Sequence, residues 1–346
     1  MNSATARPDG VEGQFEIDKF RFESGETLEH LRIGFVRFGS LNASADNLLL
    51  VLPGTSNTRT SSIEHIGPGR AYDTERYCVV CTDAIGGGTS SSAADGLGWG
   101  FPRYTVRDLV HAQVQLARQG LGLGDTPIAV LAGASMGAFQ TLEWIVHYPQ
   151  TVRNAILLVP AWRAGMLFRL AAERMFDFVD GARCAPPEKT QEALQAALRG
   201  AGRHYFAWTV TDPYLSQSEP DKLRQEVEVS GDRFAAWDPA SIVRRYEASS
   251  THDLAKPFAG DLQEALRRVT ARTLVVACAQ DRLLGVEGAK EIARGIAQAD
   301  YREVDSTLGH STWRPHPGAP HTQTVTRYVR DFLGLDVAPG RVTQRA

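Results

Sequence analysis

A serine between two glycines, a carboxylate and a histidine are the residues of this sequence whose types and order suit acyl chemistry. The serine is Ser135, in Gly133-Ala-Ser135-Met-Gly137, directly after the apolar run Ile128-Ala-Val-Leu-Ala132 and directly before the helical stretch Met136 to Tyr148. A nucleophile on a sharp turn from strand to helix sits on strained backbone and needs glycine on both sides. Its hydroxyl then stands clear of the sheet edge, and the helix N-terminus points its N–H groups at the reacting centre. Serine is a weak nucleophile near neutral pH, so it needs a base, and the base needs an acid to orient it. On such a turn the acid ends a later strand and the histidine follows the last one. Asp281, just past Leu274-Val-Val-Ala277, and His310, in the loop after Tyr301-Arg-Glu-Val-Asp305, meet that order. Asp305, which ends the strand before His310, is the alternative acid.

A tetrahedral intermediate also needs two donors for its oxyanion. The Met136 N–H is one, and the Gly54 or Thr55 N–H, in Pro53-Gly54-Thr55-Ser56 after the run Leu48 to Leu52, is the candidate for the other. Gly86-Gly-Gly88 lacks the Lys-Ser/Thr of a nucleotide loop and reads as a tight turn at a pocket rim. No His-x-x-x-His pair sits on a helix with a carboxylate, and no Gly-x-Gly-x-x-Gly occurs, so neither a metal nor another cofactor is expected.

The elements that position these residues follow from hydrophobic pattern. Phe15-Glu-Ile-Asp and Leu31-Arg-Ile-Gly-Phe alternate and read as an antiparallel pair at a sheet edge, after a loose tail over residues 1–11. The runs Leu48 to Leu52, Cys78 to Cys81, Ile128 to Ala132, Ala155 to Val159 and Leu274 to Ala277 are apolar throughout and alternate with helical segments, the pattern of a parallel sheet covered on both faces. Thr105-Val-Arg-Asp108 is a capping box, and Pro149 ends the helix that begins at Met136. From about Ala164 to Leu266 the alternation stops, and helices are expected at Leu167 to Phe178, Glu188 to Leu198 and Ser241 to Ala248. Ser135 precedes this insertion while Asp281 and His310 follow it, so the flanking parts form one sheet. The predicted division is an α/β core over 12–163 and 267–336 and a helical cap over 164–266, with a frayed end from Val337.

The 346 residues carry 37 Lys and Arg against 40 Asp and Glu, a net charge of −3, and 43% are hydrophobic. That excludes a disordered chain and offers no phosphate-binding surface, so neither nucleic acid nor membrane is an expected partner. Four cysteines are too few for a disulfide scaffold, and Cys78 and Cys81, three apart on a strand, face opposite ways as core thiols. With no apolar segment in Met1 to Gln14 and no run of 18 apolar residues, a soluble cytoplasmic protein is expected.

The segments Ile66-Gly-Pro-Gly-Arg-Ala-Tyr-Asp-Thr-Glu-Arg-Tyr77, Asp83-Ala-Ile-Gly-Gly, Phe101-Pro-Arg-Tyr-Thr-Val-Arg-Asp-Leu-Val, Gly133-Ala-Ser-Met-Gly and Leu142-Glu-Trp-Ile-Val-His-Tyr-Pro149 resemble the homoserine O-acetyltransferase family of α/β hydrolases. The likeness runs from about residue 30 to 160 and returns from about 260 to 335. It implies a mostly parallel eight-stranded sheet, a helical lid, a homodimer through the lids, Ser135 as nucleophile, Asp281 as acid, His310 as base, and an oxyanion hole at Met136 and the loop of Gly54. The acetyltransferases resembled have an Asp after the catalytic His, suited to an amino group, where this chain has Ser311. Their His-Ala-Leu-Thr type loop is replaced by Leu52-Pro-Gly-Thr, and a lid arginine for the substrate carboxylate corresponds to Arg174. Losing a carboxylate partner for an ammonium removes about 1.5 to 3 kcal/mol, which disfavours homoserine as acceptor.

The reading that results is a serine hydrolase of small acetyl-type esters, its partner a small ester or acyl donor. An O-acetyltransferase from acetyl-CoA to homoserine or another alcohol uses the same residues. A non-catalytic binding module is the third reading, disfavoured by the presence of all three reacting residues.

Overall fold

The computed structural model describes residues 9–336. Strands β1 (Val11–Arg21) and β2 (Thr27–Phe38) form a hairpin paired from Val11 opposite Arg37 to Arg21 opposite Thr27. The pairing takes in residues on both sides of the two short alternating runs, and Val11 begins a strand rather than ending a tail; residues 1–8 lie outside the described residues, as does the end from Val337. The five apolar runs are β3 (Leu48–Leu52), β4 (Cys78–Thr82), β5 (Ile128–Ala134), β6 (Val152–Leu158) and β7 (Arg272–Cys278), followed by β8 (Ala299–Val304). They make one eight-stranded sheet in the order β1-β2-β4-β3-β5-β6-β7-β8. Strands β3 to β8 run parallel, and β2 joins β4 antiparallel.

Both faces of the sheet are covered, which is why the two middle strands, β3 and β5, are apolar at every position. One face packs under α1 (Val106–Gln115) and α2 (Met136–His147) through Val110, Leu142 and Ile145. The other meets Val325, Val329 and Phe332 of the final helix near the C-terminus. Cys78 lies in the first cluster and Cys81 in the second, so the two thiols do face opposite ways. Thr105 and Asp108 close the capping box at α1, the Thr105 N–H donating to Asp108 at 2.8 Å and the Asp108 N–H to the Thr105 hydroxyl at 3.2 Å.

Between β6 and β7 come α3 (Met166–Arg183), α4 (Pro187–Thr209), α5 (Asp212–Gln217), α6 (Pro220–Ala235) and α7 (Pro239–Ser250), and then α8 (Leu262–Arg267). After β7 follow α9 (Glu287–Gly295) and α10 (Pro320–Leu333). Helix α6 escapes a reading based on apolar spacing because it buries only Gly231 and Phe234; the proline at its first position is the signal it does carry. Helix α4 runs through Gly200 and Gly202 to Thr209, beyond the Leu198 expected. At Gly202 a Cβ would sit 2.5 Å from the Ser230 carbonyl, so the glycine permits α4 and α6 to touch. Phe168, Met175, Leu198, Phe234 and Tyr246 fill a core internal to the insertion. An antiparallel bridge between Arg163 and Asp253 closes its neck. Beyond it, Leu254, Ala265 and Leu266 pack with Val275 and Ile292 in the cluster beneath the sheet.

No helix among the described residues is long and apolar enough to cross a membrane. Leu266 is fully buried, so Leu266→Ala is expected to cost about 2–5 kcal/mol. A urea titration should show a lower midpoint with an unchanged slope; an unmoved midpoint would mean that this segment is not part of the main core.

Candidate active site

Ser135 follows β5 and caps α2 with φ 57° and ψ −121°, a positive-φ conformation that a non-glycine residue adopts only under constraint, at about 1–3 kcal/mol. The sheet supplies the constraint. The Ser135 N–H donates to the Leu158 carbonyl at 3.1 Å, and its own carbonyl accepts from Ala138 at 2.8 Å and Phe139 at 3.0 Å. A Cβ on Gly133 would sit 2.1 Å from the Gly137 carbonyl oxygen, and one on Gly137 2.3 Å from that of Leu52. Both flanking residues are glycine because the turn folds back onto its own strand and onto β3.

His310 lies on a short 3-10 turn, Gly309–Trp313, after β8. Its Nε2 is 2.9 Å from Ser135 Oγ and its Nδ1 is 2.7 Å from Asp281 Oδ2. A carboxylate oxygen accepts, so Nδ1–H donates to Asp281 and Nε2 is left to accept the serine proton. The other oxygen of Asp281 accepts from the N–H groups of Leu283 at 2.8 Å and Leu284 at 3.1 Å, which fixes the carboxylate at the end of β7. Asp305 is exposed and accepts from Gln280 at 3.0 Å instead. The turn is tied down by buried His65, whose Nε2–H donates to the Trp313 carbonyl at 2.9 Å. Burial holds the His65 pKa down at about 4.

The loop after β3 lies beside Ser135 because Leu52 and Gly133 are register partners. Its carbonyls are held from behind. Gln140 Nε2 donates to Pro53 at 2.9 Å, and Arg245 Nη2 donates to Gly54 at 2.8 Å and to Asn57 at 3.2 Å. In a trans peptide the N–H points opposite to the C=O, so the Gly54 and Thr55 N–H groups face away from Gln140 and Arg245. Thr55 is buried, with its hydroxyl donating to Ser249 Oγ at 3.1 Å. The Met136 N–H is the first of α2 and has no intrahelical acceptor.

Two cavities open between cap and sheet. One, of about 590 Å³, lies between Ser56, Asn57 and the Gly86–Gly88 turn on one side and Trp237 and Ser241 on the other. The second, of about 290 Å³, reaches the His310 turn through Leu308 and Ser311. Ser135 lines neither directly; Ser56, Arg233 and Arg314 line both. The triple glycine is thus at a pocket rim, and Ser311 faces a cavity. Arg174 does not. The buried stripe of α3 is Phe168, Ala171, Ala172, Met175 and Val179, which turns Arg174 outward, 60% exposed and paired with Asp177 at 3.1 Å. Sequence reasoning missed Arg245, Arg233 and Arg314. The signal for Arg245 was an arginine among Ile242, Val243, Tyr246 and Ala248, on the buried side of its helix.

Fold and site together define an α/β hydrolase. The family model for the alpha/beta hydrolase fold matches residues 47–312. A homoserine O-acetyltransferase of Thermobifida fusca (strain YX) is 33% identical over 335 aligned residues, covering 83% of this chain and 86% of the relative. An ethyl acetate hydrolase of Pseudomonas veronii is 29% identical over 317, covering 86% and 89%. The solved structure of the acetyl esterase MekB superposes with a TM-score of 0.86 at 26% identity, covering 94% of this chain and 97% of that one. The chain belongs to the homoserine O-acetyltransferase-like family of α/β hydrolases.

The His65 clamp has a pH signature. With a pKa of 6.5 when unfolded and about 4 when folded, this histidine binds a proton on unfolding between those values. Its contribution is therefore full above about pH 6.5 and is lost as pH falls toward 4. At pH 5 the loss is on the order of 2 kcal/mol. The urea midpoint of the wild type should fall from pH 7 to pH 5 by more than that of His65→Gln; equal falls would mean that His65 does not titrate in this window.

Proposed function

We propose that this protein is a serine esterase acting on small acetyl-type esters. The observation that carries the reading is the continuous chain from Ser135 Oγ to His310 at 2.9 Å and from His310 to Asp281 at 2.7 Å. Ser135 Oγ attacks the ester carbonyl carbon while its proton passes to His310 Nε2. The carbonyl oxygen becomes the oxyanion and accepts from the Met136 N–H and from the Gly54 or Thr55 N–H. When the tetrahedral intermediate collapses, the C–O bond to the alcohol breaks and His310 returns the proton to the leaving alkoxide. Water then repeats the sequence on acetyl-Ser135, releasing acetate and the free serine. Asp281 holds the imidazole in the productive tautomer throughout.

Likeness to an ethyl acetate hydrolase and to an acetyl esterase supports hydrolysis. The 33% identical homoserine O-acetyltransferase favours a second reading, in which an alcohol rather than water takes the acetyl group. Ser311 offers a hydroxyl where the ammonium of homoserine calls for a carboxylate, which weighs toward water. Turnover of acetyl-CoA with and without homoserine, beside hydrolysis of p-nitrophenyl acetate, separates the two. Ester hydrolysis without acceptor is expected, and CoA release that strictly requires homoserine would refute the esterase.

Ser135→Ala is expected to lose fluorophosphonate labelling and esterase activity while keeping its circular dichroism. Asp281→Asn should lower kcat by about 10³–10⁴ through the wrong histidine tautomer, and Asp305→Asn should stay near wild type. If Asp305→Asn carried the loss instead, the acid would be misassigned.

A further inference from the structure

Arg245 is a buried cation that the hydrolytic mechanism has not yet used. It sits on α7 of the cap with no exposure to solvent, a costly place for a guanidinium unless its charge serves a purpose. Its neutralisation is incomplete. No carboxylate lies within ion-pair distance among the described residues, and its Nε and Nη1 have no hydrogen-bond partner. The carboxylate that acts on it electrostatically, Asp83, is already held by Arg59 Nη1 at 2.6 Å and by the N–H groups of Arg59 at 2.8 Å and Thr89 at 2.9 Å. Trp237 covers the guanidinium at 5.1 Å from the ring centroid. Burial lowers the pKa of Arg245 below the usual arginine value.

What Arg245 does touch is the loop beside Ser135. One nitrogen, Nη2, donates both to the Gly54 carbonyl at 2.8 Å and to the Asn57 carbonyl at 3.2 Å. The Gly54 carbonyl shares its peptide unit with the Thr55 N–H. A cation bonded to that oxygen draws electron density through the conjugated amide and strengthens the opposite N–H as a donor. It also sets positive potential, from a side chain with no exposure to solvent, behind the point where negative charge develops. A neutral donor would fix the loop equally well, so the hydrogen bonds alone do not account for a buried charge.

We propose that Arg245 is a positioning residue for the oxyanion hole, its guanidinium polarising the Gly54–Thr55 peptide so that the transition state is bound more tightly than the substrate. The inference rests on the esterase reading. A group that acts only as charge develops changes kcat and leaves KM alone.

The test is a set of Arg245→Gln, Arg245→Lys and Arg245→Met variants, assayed with p-nitrophenyl acetate. Rates are expressed per active site titrated with a fluorophosphonate, so that misfolded molecules are not counted. Arg245→Gln keeps an N–H donor and loses the charge. It is expected to lower kcat about 10- to 100-fold, less than the roughly 10²–10³ for deletion of an oxyanion donor. KM should stay within about twofold, and affinity for a boronic acid, a tetrahedral mimic, should fall by the same factor as kcat. Arg245→Lys should retain more activity than Arg245→Met. Wild-type kcat and boronate affinity in Arg245→Gln would overturn the proposal, as would a loss confined to KM. Failure of the wild type to titrate with the fluorophosphonate at all would instead refute the esterase reading.

Discussion

The backbone of Ser135, held at a positive φ, is the constraint on which the rest of this molecule depends. An isolated turn would relax out of that conformation. Here it cannot, because the Ser135 N–H is tied to Leu158 on β6 and its carbonyl opens the hydrogen bonding of α2. The strain is offset by a parallel sheet that buries every residue of β3, β4 and β5. Two features follow directly. The turn folds back so tightly that its neighbours are glycines, and β3 must lie against β5, which brings the loop of Gly54 to the serine.

Around this fixed point the remaining groups are held by backbone rather than by flexible side chains alone. Asp281 is fixed by two N–H groups of its own turn, and the His310 turn is pinned by His65. The loop after β3 is different, since its anchors, Gln140 and Arg245, come from α2 and from the cap. The cap therefore helps to hold the loop beside Ser135 as well as roofing the cavities. Its internal core includes Tyr246, the residue after Arg245, and Leu283, two residues after Asp281. Packing within the insertion thus bears on both the acid and the loop.

The sheet, the elbow and the order of Ser135, Asp281 and His310 were legible because each rests on a local pattern: apolar runs, glycines at fixed offsets, a carboxylate after a strand. The geometry distinguishes Asp281 from Asp305 through something no spacing encodes, the N–H groups of Leu283 and Leu284 that donate to one carboxylate while the other stays in solvent. Arg174 was misplaced because a resemblance supplied a role without a helix face. The buried stripe from Phe168 to Val179 assigns the face and turns Arg174 outward. Helix α6 was missed because its partner is another polar helix rather than the sheet. Arg245 was missed because the carbonyls it bonds, those of Gly54 and Asn57, lie 191 and 188 residues earlier in the chain.

If Ser135 carries the acyl group between ester and water, it must be acetylated during turnover. The most direct measurement is acid-quenched digestion and mass spectrometry of the enzyme during turnover of p-nitrophenyl acetate. One acetyl group is expected on the peptide that contains Ser135, gone once substrate is exhausted. Undiminished turnover with acetyl on another residue, or with none on that peptide at any quench time, would contradict it.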